Sequence, residues 1–449
     1  MKHNFIQTEG SNFILNGEKI ILRGWALGSW MNFEHFMIGM PGTNSMIIEA
    51  FEEVYGKERS TEFFSRINEE MISEKDIHFL KNIGINSIRI PFGYHWFMSD
   101  EKPFEFLEDG FQKLNRVVEL CEKNELYIIL DLHSTPGSQN TDWHSDNITG
   151  QSLFWKYRCF QDQVIWLWKE ISKRYADHSW IIGYDIINEP GYGLTGEQIN
   201  GFYDRAITAI RENDSNHILF LEGIDFGRDF VPLKKFEDDQ IAYTVHFYPF
   251  VLKDNILDVN MNDSRRMEIF TEIFDRQIGS IQRFQRPIWC GESGYEILDG
   301  QEAFYSKLLL HNIDICESRG ISWNLWTYKD ARVMGIVIPT EESRWIQLCR
   351  KIVTHWSHHR EEEISMKVTR NIGEQYYEPL SDKLAYDMDF RIRSVLHRIA
   401  VEQILKPVLQ EIPWEEMKLY PDDFLFERCE QRGTVVEDIT DYIKDSRRF

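Results

Sequence analysis

Cysteine is scarce in this 449-residue chain, and the six present (Cys121, Cys159, Cys290, Cys316, Cys349 and Cys429) are widely scattered with no CxxC pair. That spacing excludes a disulfide scaffold and predicts reduced structural thiols. Basic residues are in deficit, 50 Lys and Arg against 73 Asp and Glu, for a net charge of −23. Such a surface repels polyphosphates and anionic membranes, so nucleic acid is not an expected partner. Nowhere do about 18 apolar residues run together, and Met1 to Asn16 holds no apolar core of signal-peptide length. A soluble, cytoplasmic protein without a membrane partner is the expectation. Repeats and low-complexity tracts are also missing.

What the chain does have is apolar and aromatic text, 42% and 14% of residues, with 14 Trp. That is enough for a large core and for aromatic surface able to stack on sugars. From residue 20 to about 355, short runs rich in Ile, Val and Tyr alternate with helical-period stretches, the pattern of repeated βα units. Eight strands are predicted: Ile20–Gly24, Asn86–Ile90, Tyr127–Leu132, Ile182–Ile187, His217–Leu221, Ile241–His246, Pro287–Gly291 and Ile321–Trp326. Amphipathic segments lie between them at Phe111–Lys123, Trp155–Arg174, Gly196–Glu212, Arg266–Ile281 and Ala303–Ser318. Eight such pairs argue for an α/β protein with a closed (β/α)8 TIM barrel over residues 1–355. Residues 356–449 turn to charged helical text, such as Leu384–Leu405 with apolar Ile392, Val395, Leu396, Ile399 and Ile404. They form a helical C-terminal extension, read as a cap on the barrel or, alternatively, as an oligomerisation element that would make a homo-oligomer.

Active sites of α/β barrels form where the strands end at their C-terminal face. Polar residues close the predicted strands repeatedly: Arg89 on the second, Asp131 and His133 on the third, Asn188 and Glu189 on the fourth, His246 and Tyr248 on the sixth, Glu292 on the seventh and Trp326 on the eighth. Cleavage of a glycosidic bond needs a proton donor for the leaving oxygen and, with retention, a carboxylate nucleophile on the other face. Glu189, confined by Pro190, suits the acid/base, and Glu292, after Gly291, suits the nucleophile. Two carboxylates of that kind require further partners. Arg89 and Tyr248 would keep Glu292 ionised, Asn188 would grip the sugar 2-hydroxyl, His133 and His246 would supply neutral hydrogen bonds, and Trp326 would floor the pyranose ring. The negative charge of Glu292 is expected to raise the Glu189 pKa toward about 6 to 7, as an acid catalyst near neutral pH requires.

Two other motifs lead nowhere. Gly291-Glu292-Ser293-Gly294 has Glu where a serine-hydrolase elbow needs Ser. His358 and His359 beside Glu361–Glu363 lack metalloprotease spacing and read as a solvated helix face. Neither motif by itself supplies a metal or cofactor site.

Arg89, His133, Asn188-Glu189-Pro190, His246-Phe247-Tyr248, Glu292 and Trp326 together resemble glycoside hydrolase family 5, over roughly residues 15–350. The resemblance implies a barrel, double displacement with retention and no metal. Within the family the chain is most similar to the exo-β-1,3-glucanase group, through Leu22-Arg23-Gly24-Trp25-Ala26-Leu27-Gly28-Ser29-Trp30 leading to Glu34, through Arg89-Ile90-Pro91-Phe92-Gly93-Tyr94, and through His133-Ser134-Thr135-Pro136-Gly137-Ser138-Gln139-Asn140. It implies that Glu34 binds the terminal sugar and that Trp143 and Phe250 clamp the next one. The loop Thr141–Gly150 departs from that group in length, and Trp143 stands where Phe is usual. The expected substrate is thus a β-glucan or β-gluco-oligosaccharide cut from its end. A β-glucosidase or glucosylceramidase-like activity, an endo-β-glucanase, and a non-catalytic carbohydrate-binding or scaffold protein are the rivals.

Overall fold

The structure is a computed structural model that describes residues 4–253, 255–376 and 380–446. Three short strands, β1 (Gln7–Glu9), β2 (Asn12–Leu15) and β3 (Glu18–Ile20), form an antiparallel sheet ahead of the barrel. Eight parallel strands then close on themselves: β4 (Arg23–Ala26), β5 (Ser87–Gly93), β6 (Tyr127–Ser134), β7 (Ile181–Asp185), β8 (Ile218–Glu222), β9 (Ile241–His246), β10 (Ile288–Glu292) and β11 (Ser322–Leu325). All eight predicted strands appear. The first is divided, since Ile20 ends the β3 hairpin and the barrel strand starts at Arg23.

Alternation along each strand sends successive side chains to the barrel interior and to the surrounding helices. Along β6, Ile128, Leu130 and Leu132 join the outer core against the helices, whereas Tyr127 and Ile129 join a separate inner cluster. That inner cluster also holds Phe13, Leu22, Ile182, Ile218, Phe220, Ala242 and Trp289, so the β1–β3 sheet plugs the barrel floor through Phe13, 6.0 Å from Phe220. Helices Glu108–Lys123, Arg158–Tyr175, Gly196–Arg211, Asp263–Gly279 and Glu302–Glu317 cover the outside, within a few residues of their predicted positions. Between β4 and β5 the chain adds helices Asn44–Tyr55, Lys57–Met71 and Glu74–Asn82.

Beyond residue 355 come a hairpin of helices His358–Tyr376 and Asp382–Ala400, a π-helical turn Val401–Leu405, shorter turns, and helix Gly433–Ser446. Strand β12 (Val337–Pro339) pairs antiparallel with β13 (Cys429–Gln431). Leu405, Leu409, Phe424, Val435 and Ile439 share one apolar core with barrel helices, and Phe424 packs on Trp345 with ring centroids 4.8 Å apart. Of the apolar residues picked out in Leu384–Leu405, Val395 and Ile399 stand 59% and 52% exposed and Ile392, Leu396 and Ile404 are half-buried, while Phe390, His397, Ala400 and Val401 are buried. The inner side of the hairpin is filled by ion pairs instead, His397 on Glu361 at 2.9 Å and Arg393 on Glu362 at 2.9 Å and on Asp389 at 2.8 Å. No helix among the described residues is long and apolar enough to cross a membrane.

Candidate active site

The interior positions that are apolar at the barrel floor become ionisable at the C-terminal ends of the same strands. Arg89 on β5, Asp131 and His133 on β6, Asp185 on β7, Glu222 on β8, His246 on β9 and Glu292 on β10 are all buried there. Arg89 is the hub. Its guanidinium donates to Glu292 Oε1 and, at 2.8 Å, to Asn188 Oδ1, and it lies 3.1 Å from Asp131 and 3.4 Å from Asp185. Burial would lower the Arg89 pKa, but Asp131, Glu292, Asp185 and Glu222 outweigh it and hold the cation firmly charged. Tyr248 donates its hydroxyl to Glu292 Oε2 at 2.9 Å, and burial beside Glu292 keeps that phenol protonated. The partners expected to keep Glu292 an anion are thus in contact with both of its oxygens.

Glu189 follows β7 with a left-handed backbone, φ +49°. Such a conformation in a non-glycine residue costs about 1–3 kcal/mol and needs outside support. Glu222 Oε2 accepts from the Glu189 N–H at 2.8 Å, and Asn140 Nδ2 donates to the Glu189 carbonyl at 2.9 Å. Its side chain meets two histidines, His246 Nδ1 at 2.7 Å and His144 Nε2 at 2.9 Å. His246 bridges onward to Glu292 Oε2 at 3.4 Å, and one ligating oxygen from each glutamate lies within 4.8 Å of the other.

Two expectations about charge are corrected. His133 and His246 are not neutral donors. Burial lowers each, but Asp131 and Glu34 push His133 up to about 10, and Glu222 with Glu292 and Glu189 hold His246 well above the usual range. Nor is Glu189 raised, the shift expected from the neighbouring Glu292. Burial would raise the Glu189 carboxyl, and cationic His144 and His246 outweigh burial and pull it well below the usual range.

The remaining predicted residues fall around this centre. Glu34 lies 3.4 Å from His133 Nε2. Trp326 stacks on His133 with ring centroids 5.2 Å apart and planes 8° apart. Trp143 packs on His35 at 4.4 Å and lies 6.5 Å from His397 of the extension, whereas Phe250 packs on Tyr248 at 6.0 Å and Tyr295 at 5.6 Å. Among the described residues no ring contact joins Trp143 to Phe250.

Sequence reasoning missed Glu222, His144 and Phe226. Glu222 closes a strand predicted one residue too short, so the rule that found Glu292 would have found it. His144 and Phe226, 6.1 Å apart, sit in loops with no periodicity to flag them. The His144 loop is tied to the helical hairpin: Thr141 and Tyr386 share a hydroxyl hydrogen bond at 2.8 Å, Ser394 donates to the Ile148 carbonyl at 2.8 Å, and Gly150 admits the Phe390 backbone where a Cβ would come within 2.6 Å of its oxygen. His358 and His359, expected on a solvated face, converge on Glu296 at 3.1 and 3.4 Å.

Comparison with known proteins adds an independent line. A model of the cellulase family (glycosyl hydrolase family 5) matches residues 50–332. A β-xylosidase of Phanerodontia chrysosporium is 30% identical over 468 aligned residues, covering 97% of this chain and 98% of that protein. A glucan 1,3-β-glucosidase of Candida oleophila is 29% identical over 46% of this chain and 51% of its own. Among solved structures, endoglucanase Cel5A of Thermotoga maritima aligns with a TM-score of 0.52 at 18% identity, over 70% of this chain and 91% of that one, a likeness of fold.

Proposed function

This chain belongs to glycosyl hydrolase family 5 and is a glycoside hydrolase with a carbohydrate substrate, and from that premise we propose that it removes single sugars from the non-reducing ends of β-linked gluco-oligosaccharides or small β-glycosides, with retention. The observation that carries this reading is the carboxylate pair, Glu189 and Glu292, with oxygens within 4.8 Å across a buried site. Retaining enzymes place their two carboxyl groups about 5–5.5 Å apart, and inverting ones about 6.5–9.5 Å. In the first step Glu292, whose two oxygens accept from Arg89 and Tyr248, attacks the anomeric carbon while Glu189 gives its proton to the departing oxygen. In the second step Glu189 takes a proton from water as that water releases the sugar from Glu292.

End-on action is supported by depth. Glu34, Glu292 and Trp326 are only 5–6% exposed, more consistent with a pocket for one terminal ring than with an open groove. Glu34 and His133 are the terminal-sugar contacts in this reading, Asn188 the 2-hydroxyl contact, and Trp143 and Phe250 the rim aromatics. A second reading, removal of terminal xylose, is favoured by the β-xylosidase likeness, which runs the length of the chain and includes the extension.

Hydrolysis of laminaritriose, cellotriose, xylotriose and the aryl β-glucoside and β-xyloside, with the first-formed anomer followed by NMR, tests both. We expect a monosaccharide released first as the β-anomer, fastest from laminaritriose. Fastest release from the xylosides would establish the second reading, and an initial α-anomer would overturn retention.

A further inference from the structure

Away from the catalytic pair, three side chains from two distant segments turn ligand atoms toward one point. His358 and His359 open the helix His358–Tyr376, and Glu296 lies in the loop after β10, beyond Glu292. Glu296 Oε1 stands 3.1 Å from His358 Nε2, and Glu296 Oε2 stands 3.4 Å from His359 Nε2. One ligand atom from each residue lies within 4.8 Å of the other two. Both segments are fixed independently of that contact. Tyr295 donates its hydroxyl to Asn312 Oδ1 at 3.1 Å and the Ile297 N–H donates to the Val333 carbonyl at 2.8 Å, so the chain is pinned on each side of Glu296. Trp356 is buried against His35 with ring centroids 5.4 Å apart, and Ser357 Oγ accepts the Arg360 N–H at 3.3 Å, which sets the turn that carries both histidines. Donors held in place in this way lose little freedom when they bind.

We propose that Glu296, His358 and His359 bind one zinc ion, or a similar divalent transition metal, which clamps the C-terminal extension to the loop that follows the nucleophile strand. Two imidazoles and a carboxylate suit such an ion, whereas calcium and magnesium take oxygen ligands. Zinc holds nitrogen and oxygen at about 2.0–2.1 Å in a tetrahedron, whose ligand atoms then stand about 3.3 Å apart. The separations of 3.1 and 3.4 Å meet that spacing. As hydrogen bonds the same contacts need a proton each, on two rings whose centroids are 3.9 Å apart. One divalent ion takes the place of both protons at the same net charge.

The surroundings suit an ion as well as the donors do. Glu362 Oε2 lies 3.9 Å from His359 Nδ1, at the ring's other nitrogen, where a ligating histidine usually has an orienting carboxylate. His358 is covered by His35 and Phe36, with ring centroids 5.8 and 5.4 Å away, whereas the His359 side chain is 66% exposed. The cluster is therefore open on the His359 side, which gives an ion its entry path and leaves its fourth position to water. A chain of net charge −23 draws cations to such an opening. The ion is structural, since neither Glu189 nor Glu292 is among its ligands. It ties the loop after β10 to the hairpin whose second helix, through Tyr386 and Ser394, holds the loop of Trp143 and His144.

The test uses the full chain without a metal-binding purification tag, stripped with EDTA and titrated with Co2+ and then Zn2+. One cobalt per chain is expected, with the strong visible absorption of a tetrahedral site, displaced by zinc. Zinc at about 100 times its Kd should raise Tm by about 3 °C. Glu296→Gln and His359→Phe should each abolish the cobalt band and weaken zinc by at least about tenfold. Position 359 is exposed, so His359→Phe carries the test should Glu296→Gln fail to fold. A parent chain with no cobalt band overturns the inference. So does a band that keeps its intensity in the variants, which would place the metal elsewhere, as at Glu189, His246 and Glu292, the other group of ligand atoms this close among the described residues. Neither readout uses hydrolysis, so its failure leaves the glycosidase reading standing.

Discussion

The two ends of one barrel are built from the same strands and obey opposite rules. On β6, Tyr127 and Ile129 face inward at the floor, and Asp131 and His133 face inward at the mouth two and four residues later. On β8 Phe220 is followed by Glu222, and on β9 Ala242 by His246. Alternation alone decides that these side chains point inward. It does not decide their chemistry, which changes within about 7 Å of strand. At the floor the interior is closed by shape, with Phe220 packed on both Phe13 and Trp289. At the mouth it is closed by charge, with one guanidinium serving four carboxyl groups. A packed floor gives the strands fixed positions, so that unlike charges at the mouth can be held at hydrogen-bond distances.

The comparison predicts that the largest functional effects lie at the mouth with little effect on folding. Glu292→Ala should lower turnover by at least about 10^4-fold, and added azide should restore cleavage as a glycosyl azide of inverted configuration. Unimpaired hydrolysis by that variant, measured on the aryl β-glucoside, would remove Glu292 from the reaction.

Arg89→Met should instead show that the mouth is also structural. It leaves Asp131, Asp185, Glu222 and Glu292 buried around an apolar side chain, at a cost of about 3–5 kcal/mol in stability. Asp185 and Glu222 are already raised, chiefly by burial, with Glu222 and Asp131 adding to Asp185 and Glu189 to Glu222 while Arg89 opposes both shifts. Loss of the cation raises such groups further, and a raised folded-state carboxyl destabilises where it must ionise. The deficit against the parent should therefore be greatest near about pH 8 and shrink as the pH falls toward about 5. Denaturant midpoints across that range read it directly, and a deficit that grows on acidification would contradict the hub role.

The same contrast separates what the sequence makes legible from what it does not. Strand positions follow from apolar runs of period two, and all eight emerge. Arg89, His133, Glu189, His246 and Glu292 emerge because each closes such a run, and the structure brings them to one centre. Glu222 escapes through a boundary error of one residue. The protonation of His133 and His246 is not legible, because it depends on Asp131, Glu222 and Glu292 arriving from separate strands. His144 and Phe226 come from loops whose shape is set by distant residues, the former by Tyr386 and Ser394, more than 240 positions away. The helix at 382–400 misleads for a related reason. Its buried side carries His397 and the half-buried Arg393 on charged partners, so a search for apolar periodicity selects residues left half-buried or exposed.

The smallest effect is expected at the floor, and it sharpens the contrast because it should touch stability alone. Ile129→Val removes one methylene from a side chain buried in the inner cluster, one turn of alternation below Asp131. Deletions of that size cost about 0.5–1.5 kcal/mol, as transfer energy plus a small cavity. The strand backbone and its pairing of Ile129 with Arg89 should persist, since neither depends on the lost atom. Turnover and its pH profile should then match the parent while the denaturant midpoint falls slightly. A shift in the pH profile would mean that floor packing transmits to the Arg89 cluster, and that the two ends are not separable.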